Sequence, residues 1–141
     1  MKMMDLREQS GRVLRLAILA DSRDEYIRTS DLLRQIEGEQ FEIRRLDTPT
    51  DATRQPGYDD WDLIIVDSCS GTASGVGFIR SLRNCGCECP LILLTEAGDD
   101  DARLEALEAG ATHLLSRDKL TLNNLRRSIS YAIEGIRKTR L

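Results

Sequence analysis

Apolar residues fall into short, evenly spaced runs along the chain. Leu14-Arg15-Leu16-Ala17-Ile18-Leu19, Trp61-Asp62-Leu63-Ile64-Ile65-Val66 and Pro90-Leu91-Ile92-Leu93-Leu94 are apolar on both faces, which predicts strands covered on both sides. Phe41, Ile43 and Leu46 predict a strand with one exposed face, and Ala111 to Leu115 a short fifth strand. Helical spacing fills the gaps. Ser22-Arg23-Asp24-Glu25 has the form of a capping box, and Ile27, Leu32, Leu33 and Ile36 carry an apolar stripe to about Glu37, with Gly38 as the stop. Thr48-Pro49 to Gly57 is a short helix or loop, and Ser68 to Gly75 a loop rich in Ser, Gly and Thr. Phe78, Ile79 and Leu82 predict a helix over Gly77 to Arg83. Asp99-Asp100-Asp101 opens another helix, running to Ala109 and stopped by Gly110. Leu122, Leu125, Ile129, Ala132, Ile133 and Ile136 mark a last long helix.

Strand and helix thus alternate five times, at the spacing of βα units. Right-handed crossovers place helices on both faces of a parallel sheet. The expected fold is α/β, a doubly wound five-stranded parallel sheet of order 2-1-3-4-5, with ligands at the carboxyl ends of its strands. A chain of 141 residues has room for one such domain. Its expected limits are 13–138, after an N-terminal extension over 1–12.

Composition narrows the partners. With 20 basic and 24 acidic residues the net charge is -4, unsuited to direct nucleic-acid binding. Aromatics at 4% offer no platform for stacked bases. A single histidine rules out a zinc site built on several histidines. No apolar run is long enough to span a membrane, and Met1 to Arg12 has no apolar signal core, so the expected compartment is the cytoplasm.

The residues just past strands 1, 3, 4 and 5 are Asp21, Asp67, Thr95 with Glu96, and Ser116 with Arg117. Each alone reads as a polar residue where the chain meets water. Together they bring two carboxylates, a hydroxyl and a guanidinium to one rim. Hard oxygen ligands suit Mg²⁺, and the hydroxyl and cation suit phosphoryl oxygens.

Over about residues 14 to 135 the chain resembles the receiver domain of two-component response regulators, a flavodoxin-like fold. The resemblance rests on Leu16-Ala17-Ile18-Leu19-Ala20-Asp21-Ser22, Asp62-Leu63-Ile64-Ile65-Val66-Asp67, Gly75, Leu93-Leu94-Thr95 and Glu108-Ala109-Gly110-Ala111. It implies a phosphorelay module and no enzyme. Asp67 would accept a phosphoryl group from phosphohistidine on a histidine kinase or phosphotransfer protein. Mg²⁺ would be held by Asp21, Asp67 and the backbone carbonyl of Cys69. Thr95 and Arg117 would contact the phosphoryl group.

Four positions depart from the family. Ala20 stands where the family has a second acid, Arg117 where it has lysine, Leu114 where many members have an aromatic switch residue, and Glu96 where it has a small residue. Losing one carboxylate weakens the expected metal site. Glu96 is a candidate modulator, either opposing the phosphoryl group by repulsion or replacing the carboxylate absent at position 20. Two readings stay open: an atypical phosphorylatable receiver, and a degenerate receiver serving protein–protein contact or dimerisation without phosphorylation.

Cys85, Cys87 and Cys89 are spaced for a soft metal or a redox pair, but also read as small apolar residues entering strand 4. The Cys69 to Gly75 loop lacks the arginine of a cysteine phosphatase and the Gly-Lys-Ser/Thr of a nucleotide loop. His113 reads as structural or exposed. The last helix runs through Ile136 to Arg140 without a stop signal. By resemblance this implies an output domain, fused or separate, or a homodimer through the last helices; equally, its basic end complements the helix dipole.

Overall fold

The strands form where apolar runs can be covered from both sides. The computed structural model of the chain describes residues 13–49, 51, 61–68, 71–96, 98 and 100–140. In it β1 (Leu14–Ala20), β3 (Leu63–Asp67) and β4 (Leu91–Thr95) are buried almost throughout. β2 (Phe41–Leu46) and β5 (His113–Ser116) are the edges. Every pairing is parallel and the order is β2-β1-β3-β4-β5, as the pattern predicted. The expected extension over 1–12 and most of the segment from Thr48 to Gly57 lie outside the described residues.

Among the described residues four helices cover the sheet: α1 (Arg23–Arg34), α2 (Thr72–Asn84), α3 (Asp100–Ala109) and α4 (Leu122–Arg140). Strand alternation splits the core into two layers. Leu16, Ile18, Ile65, Ile92 and Leu94 pack with Leu33 of α1 and with Leu125 and Ile129 of α4. Ala17, Leu19, Ile64, Val66 and Leu93 pack with Val76, Ile79 and Leu82 of α2 and Ala106 of α3. Each fully buried Leu or Ile contributes about 1.5–3 kcal/mol. Among the described residues, no helix is long and apolar enough to cross a membrane.

Several boundaries differ from the sequence expectation, each for a local reason. α1 ends at Arg34, short of Glu37, because the amides of Gln35 and Ile36 bond three residues back and tighten the last turn. Ser22 is its N-cap but makes no side-chain capping bond, so the expected capping box does not form. α2 starts at Thr72 rather than Gly77, and Gly75 therefore lies in a helix, not a loop. The helix packs so closely on β4 that a Cβ at Gly75 would sit 2.6 Å from Leu93 Cδ1. β5 starts at His113, since Gly110 (φ 117°) and the bond from the Ala111 amide to the Ala106 carbonyl close off α3 first. His113 is half-buried, with its ring 5.1 Å from that of Tyr131.

At the amino-terminal ends of β4 and β5 two loops are tied by one side chain. Arg83, in the last turn of α2, donates to the carbonyls of Cys87 at 2.9 Å, Cys89 at 2.8 Å and Gly110 at 3.0 and 2.8 Å. The sulfurs of Cys87 and Cys89 lie 3.5 Å apart, close enough for one thiol to donate to the other.

Candidate functional site

The strand register brings the site residues to one edge. Ala20 lies beside Asp67 across β1 and β3, and Thr95 beside Ser116 across β4 and β5. Asp21, Ser68, Glu96 and Arg117 therefore follow at the carboxyl rim. Asp67, the last residue of β3, is only 1% exposed. Its Oδ2 accepts a hydrogen bond from the Thr29 hydroxyl of α1 at 3.2 Å. Its Oδ1 lies 2.6 Å from Arg117 Nη2, an ion pair lacking hydrogen-bond alignment, so this buried oxygen takes no hydrogen bond among the described residues.

Burial pushes the Asp67 carboxyl up from 3.8 to about 6. Removal from water disfavours the charged form. Arg117 opposes the rise, Glu25 adds to it, and the Thr29 hydroxyl and Arg28 pull it down.

Arg117 sits in the 3₁₀ turn after β5 (Arg117–Lys119) and reaches across the rim. Besides Asp67, its Nη1 donates to Glu25 Oε2 at 3.1 Å, Nη2 donates to the Ser68 carbonyl, and Nε lies 3.4 Å from Glu96 Oε1. Glu96 thus faces Arg117, while its amide donates to the Thr72 hydroxyl at 2.8 Å. Asp21 joins through Ser68, whose hydroxyl donates to Asp21 Oδ2 at 3.0 Å. Thr95 is fully buried, and its hydroxyl has no hydrogen-bond partner among the described residues. Leu114 is a buried strand residue packed under α2 and α3. A cavity of about 380 Å³ is lined by Glu25, Arg28, Leu32, Asp67, Leu94 and Arg117 and opens onto the Asp67 carboxylate.

The sequence did not single out Thr29, Ser68 or the site role of Glu25. Thr29 and Ser30 are buried polar residues on α1, and that break in the apolar stripe was the available signal. Cys69 lies outside the described residues. Cys85, Cys87 and Cys89 stand at the other end of β4.

A divalent cation can be tested against the donor chemistry. Among the described residues no three His, Cys, Asp or Glu side chains are gathered for a metal. Mg²⁺ needs less, since it keeps several waters and takes one or two carboxylates plus phosphate oxygens. Asp21, bonded to the hydroxyl of Ser68, and Asp67, the residue before Ser68, supply two hard carboxylates, and Asp67 Oδ1 has no hydrogen bond to lose. The donors fit Mg²⁺.

The sequence pattern of the response regulator receiver domain matches residues 18–130. Among solved structures, a response regulator receiver domain protein from Clostridium thermocellum is 21% identical. That match has a TM-score of 0.69 and covers 90% of this chain and 99% of that one. The signal receiver domain of a modulated diguanylate cyclase from Desulfovibrio desulfuricans is 23% identical, with a TM-score of 0.67 and coverage of 88% and 96%. NtrX from Brucella abortus is 15% identical, with a TM-score of 0.70; the match spans 92% of this chain but 28% of NtrX. No curated protein sequence matches. The sequence pattern, matched over most of the chain and carried by a sheet of the same order, shows that the chain belongs to the family of response regulator receiver domains.

Proposed function

We propose that Asp67 is the phosphoacceptor of this receiver domain, taking a phosphoryl group from phosphohistidine on a histidine kinase or phosphotransfer protein. The observation that carries this reading is a buried carboxylate at the carboxyl rim with a guanidinium 2.6 Å from one oxygen. In the transfer, an Asp67 lone pair forms the new O–P bond and the P–N bond of the donor breaks. Its electrons leave with the imidazole, which takes up a proton. Charge accumulates on the phosphoryl oxygens, and fixed donors lower the barrier by facing it. Arg117 already faces Asp67, and the buried Thr95 hydroxyl has a hydrogen bond to give.

Asp21, Asp67 and the Cys69 carbonyl would hold Mg²⁺, more weakly than with an acid at position 20. When bound, it neutralises phosphoryl charge. An output domain, fused or separate, reads the modified surface, and the exposed side of α4, with Tyr131, is the candidate homodimer face.

A phosphorylation-independent module is the second reading, favoured by the guanidinium that already occupies Asp67. Its contact surface would include the exposed Leu104 and Leu107 of α3. Incubation with a small acyl phosphate and Mg²⁺, followed by intact mass measurement, separates the two. The proposal expects one phosphoryl adduct on the wild-type chain and none on Asp67→Ala. An unmodified wild type favours the second reading.

A further inference from the structure

One guanidinium serves three carboxylates at this rim. Each edge of the Arg117 fork is turned to an oxygen: Nη1 to Glu25, Nη2 to Asp67 and the Ser68 carbonyl, Nε to Glu96. A planar fork with five N–H groups can do this, whereas an ammonium is a point charge on a flexible stem. We infer that Glu25 is an internal competitor for Arg117: it holds the guanidinium in a resting arrangement and slows phosphoryl transfer to Asp67. This inference rests on Asp67 being the phosphoacceptor.

Three features give Glu25 this role. First, its carboxylate is not engaged in capping, because Ser22 and Glu25 form no capping box. It turns instead to a residue 92 positions away. Second, Arg28 Nη1 lies 3.4 Å from the same Oε2, so the carboxylate has a cation on either side and stays at the rim. Third, the Glu25–Arg117 pair is shielded from water: the side chains are 15% and 18% exposed, against 51% for Glu96. Solvent and salt screen an exposed pair far more than a shielded one.

An arriving phosphoryl group adds negative charge beside Asp67, Glu25 and Glu96, and its oxygens need N–H donors that Glu25 now holds. Neutralising Glu25 removes a nearby negative charge and weakens the hold on Nη1, since an amide oxygen accepts less strongly than a carboxylate. Neutralising Glu96 removes the same formal charge from a better screened position and frees no donor, because Nε makes no hydrogen bond to it. The acceleration therefore differs between two acids that formal charge alone would treat alike.

The rate of adduct formation from a small acyl phosphate with Mg²⁺, followed by intact mass on the full chain, tests this. Glu25→Gln is expected to react about tenfold faster than wild type, and Glu96→Gln less than about threefold faster. In an Arg117→Gln background, Glu25→Gln is expected to accelerate clearly less, because only the removal of its negative charge then remains. A Glu25→Gln rate at or below wild type overturns the inference. So does equal acceleration by the two Glu variants, or undiminished acceleration without Arg117. If Arg117→Gln does not fold, the comparison of the two Glu variants decides alone. A wild type that takes the adduct while the Glu25 outcomes fail overturns this inference and leaves Asp67 as acceptor. A wild type and Glu25→Gln that both stay unmodified overturn both.

Discussion

Thr29 of α1 and Arg117 of the turn after β5 hold the two oxygens of Asp67 from opposite sides, the hydroxyl at 3.2 Å on Oδ2 and the guanidinium at 2.6 Å from Oδ1. The carboxylate is thereby oriented by two elements far apart in sequence, while burial still works against its charge. That tension makes Asp67 a source of instability in the fold.

Asp67→Asn exposes this directly. The folded-state pKa is about 6 against an ordinary 3.8, so between those values the folded chain keeps a proton that the unfolded chain has released. Stability from this group is present below about pH 4 and is lost as pH rises through about 6. The amide variant is therefore expected to exceed wild type by about 3 kcal/mol at pH 7.5, and by little at pH 4. Urea unfolding at the two pH values measures it; an advantage that does not shrink on acidification would contradict this origin.

Mg²⁺ should act in the opposite sense. A cation bound only by the folded chain stabilises it by about 1.4 kcal/mol at ten times its Kd. Added Mg²⁺ is expected to raise the urea midpoint of wild type, and Asp21→Asn to reduce or abolish that rise. A shift of the same size in both would remove Asp21 from the ligand set.

Gly75 is set by packing. Gly75→Ala places a methyl 2.6 Å from the Cδ1 of Leu93, which is itself fully buried and has little room to yield. The expected cost is about 1–3 kcal/mol. In a Leu93→Ala background the same change should cost less, and a double-mutant cycle by urea unfolding reads the coupling.

The strands were legible because burial on both faces writes an uninterrupted apolar run, as in Leu63 to Val66. The start of α2 was not, since Thr72 to Gly75 are small residues with no apolar stripe, and Gly75 is needed only for its close approach to Leu93 across the interface. Asp21, Asp67, Thr95, Glu96 and Arg117 could be placed at one rim because each ends a strand or directly follows one. The contacts from α1 could not. Thr29 meets Asp67 across 38 residues and Glu25 meets Arg117 across 92, and neither pairing leaves a periodic trace. Glu25 also matched a local motif, which supplied a sufficient but different role for its carboxylate.

Arg83→Met should be the most damaging change far from the rim. It strips donors from the carbonyls of Cys87, Cys89 and Gly110 together. An unsatisfied buried acceptor costs about 1–3 kcal/mol, so a total loss of about 3 kcal/mol is expected. Faster amide exchange at Thr112, whose amide bonds the Leu91 carbonyl, would locate the damage; protection equal to wild type there would argue against the clasp.

That clasp gives the domain a polarity of stiffness. At the end of the sheet away from Asp67, the stems of α2, β4, α3 and β5 are riveted by one cation, like the spokes of a fan gathered at its pin. Leu104 and Leu107, exposed on α3, therefore belong to a helix tied by that cation at its carboxyl-terminal end, where Arg83 holds the Gly110 carbonyl.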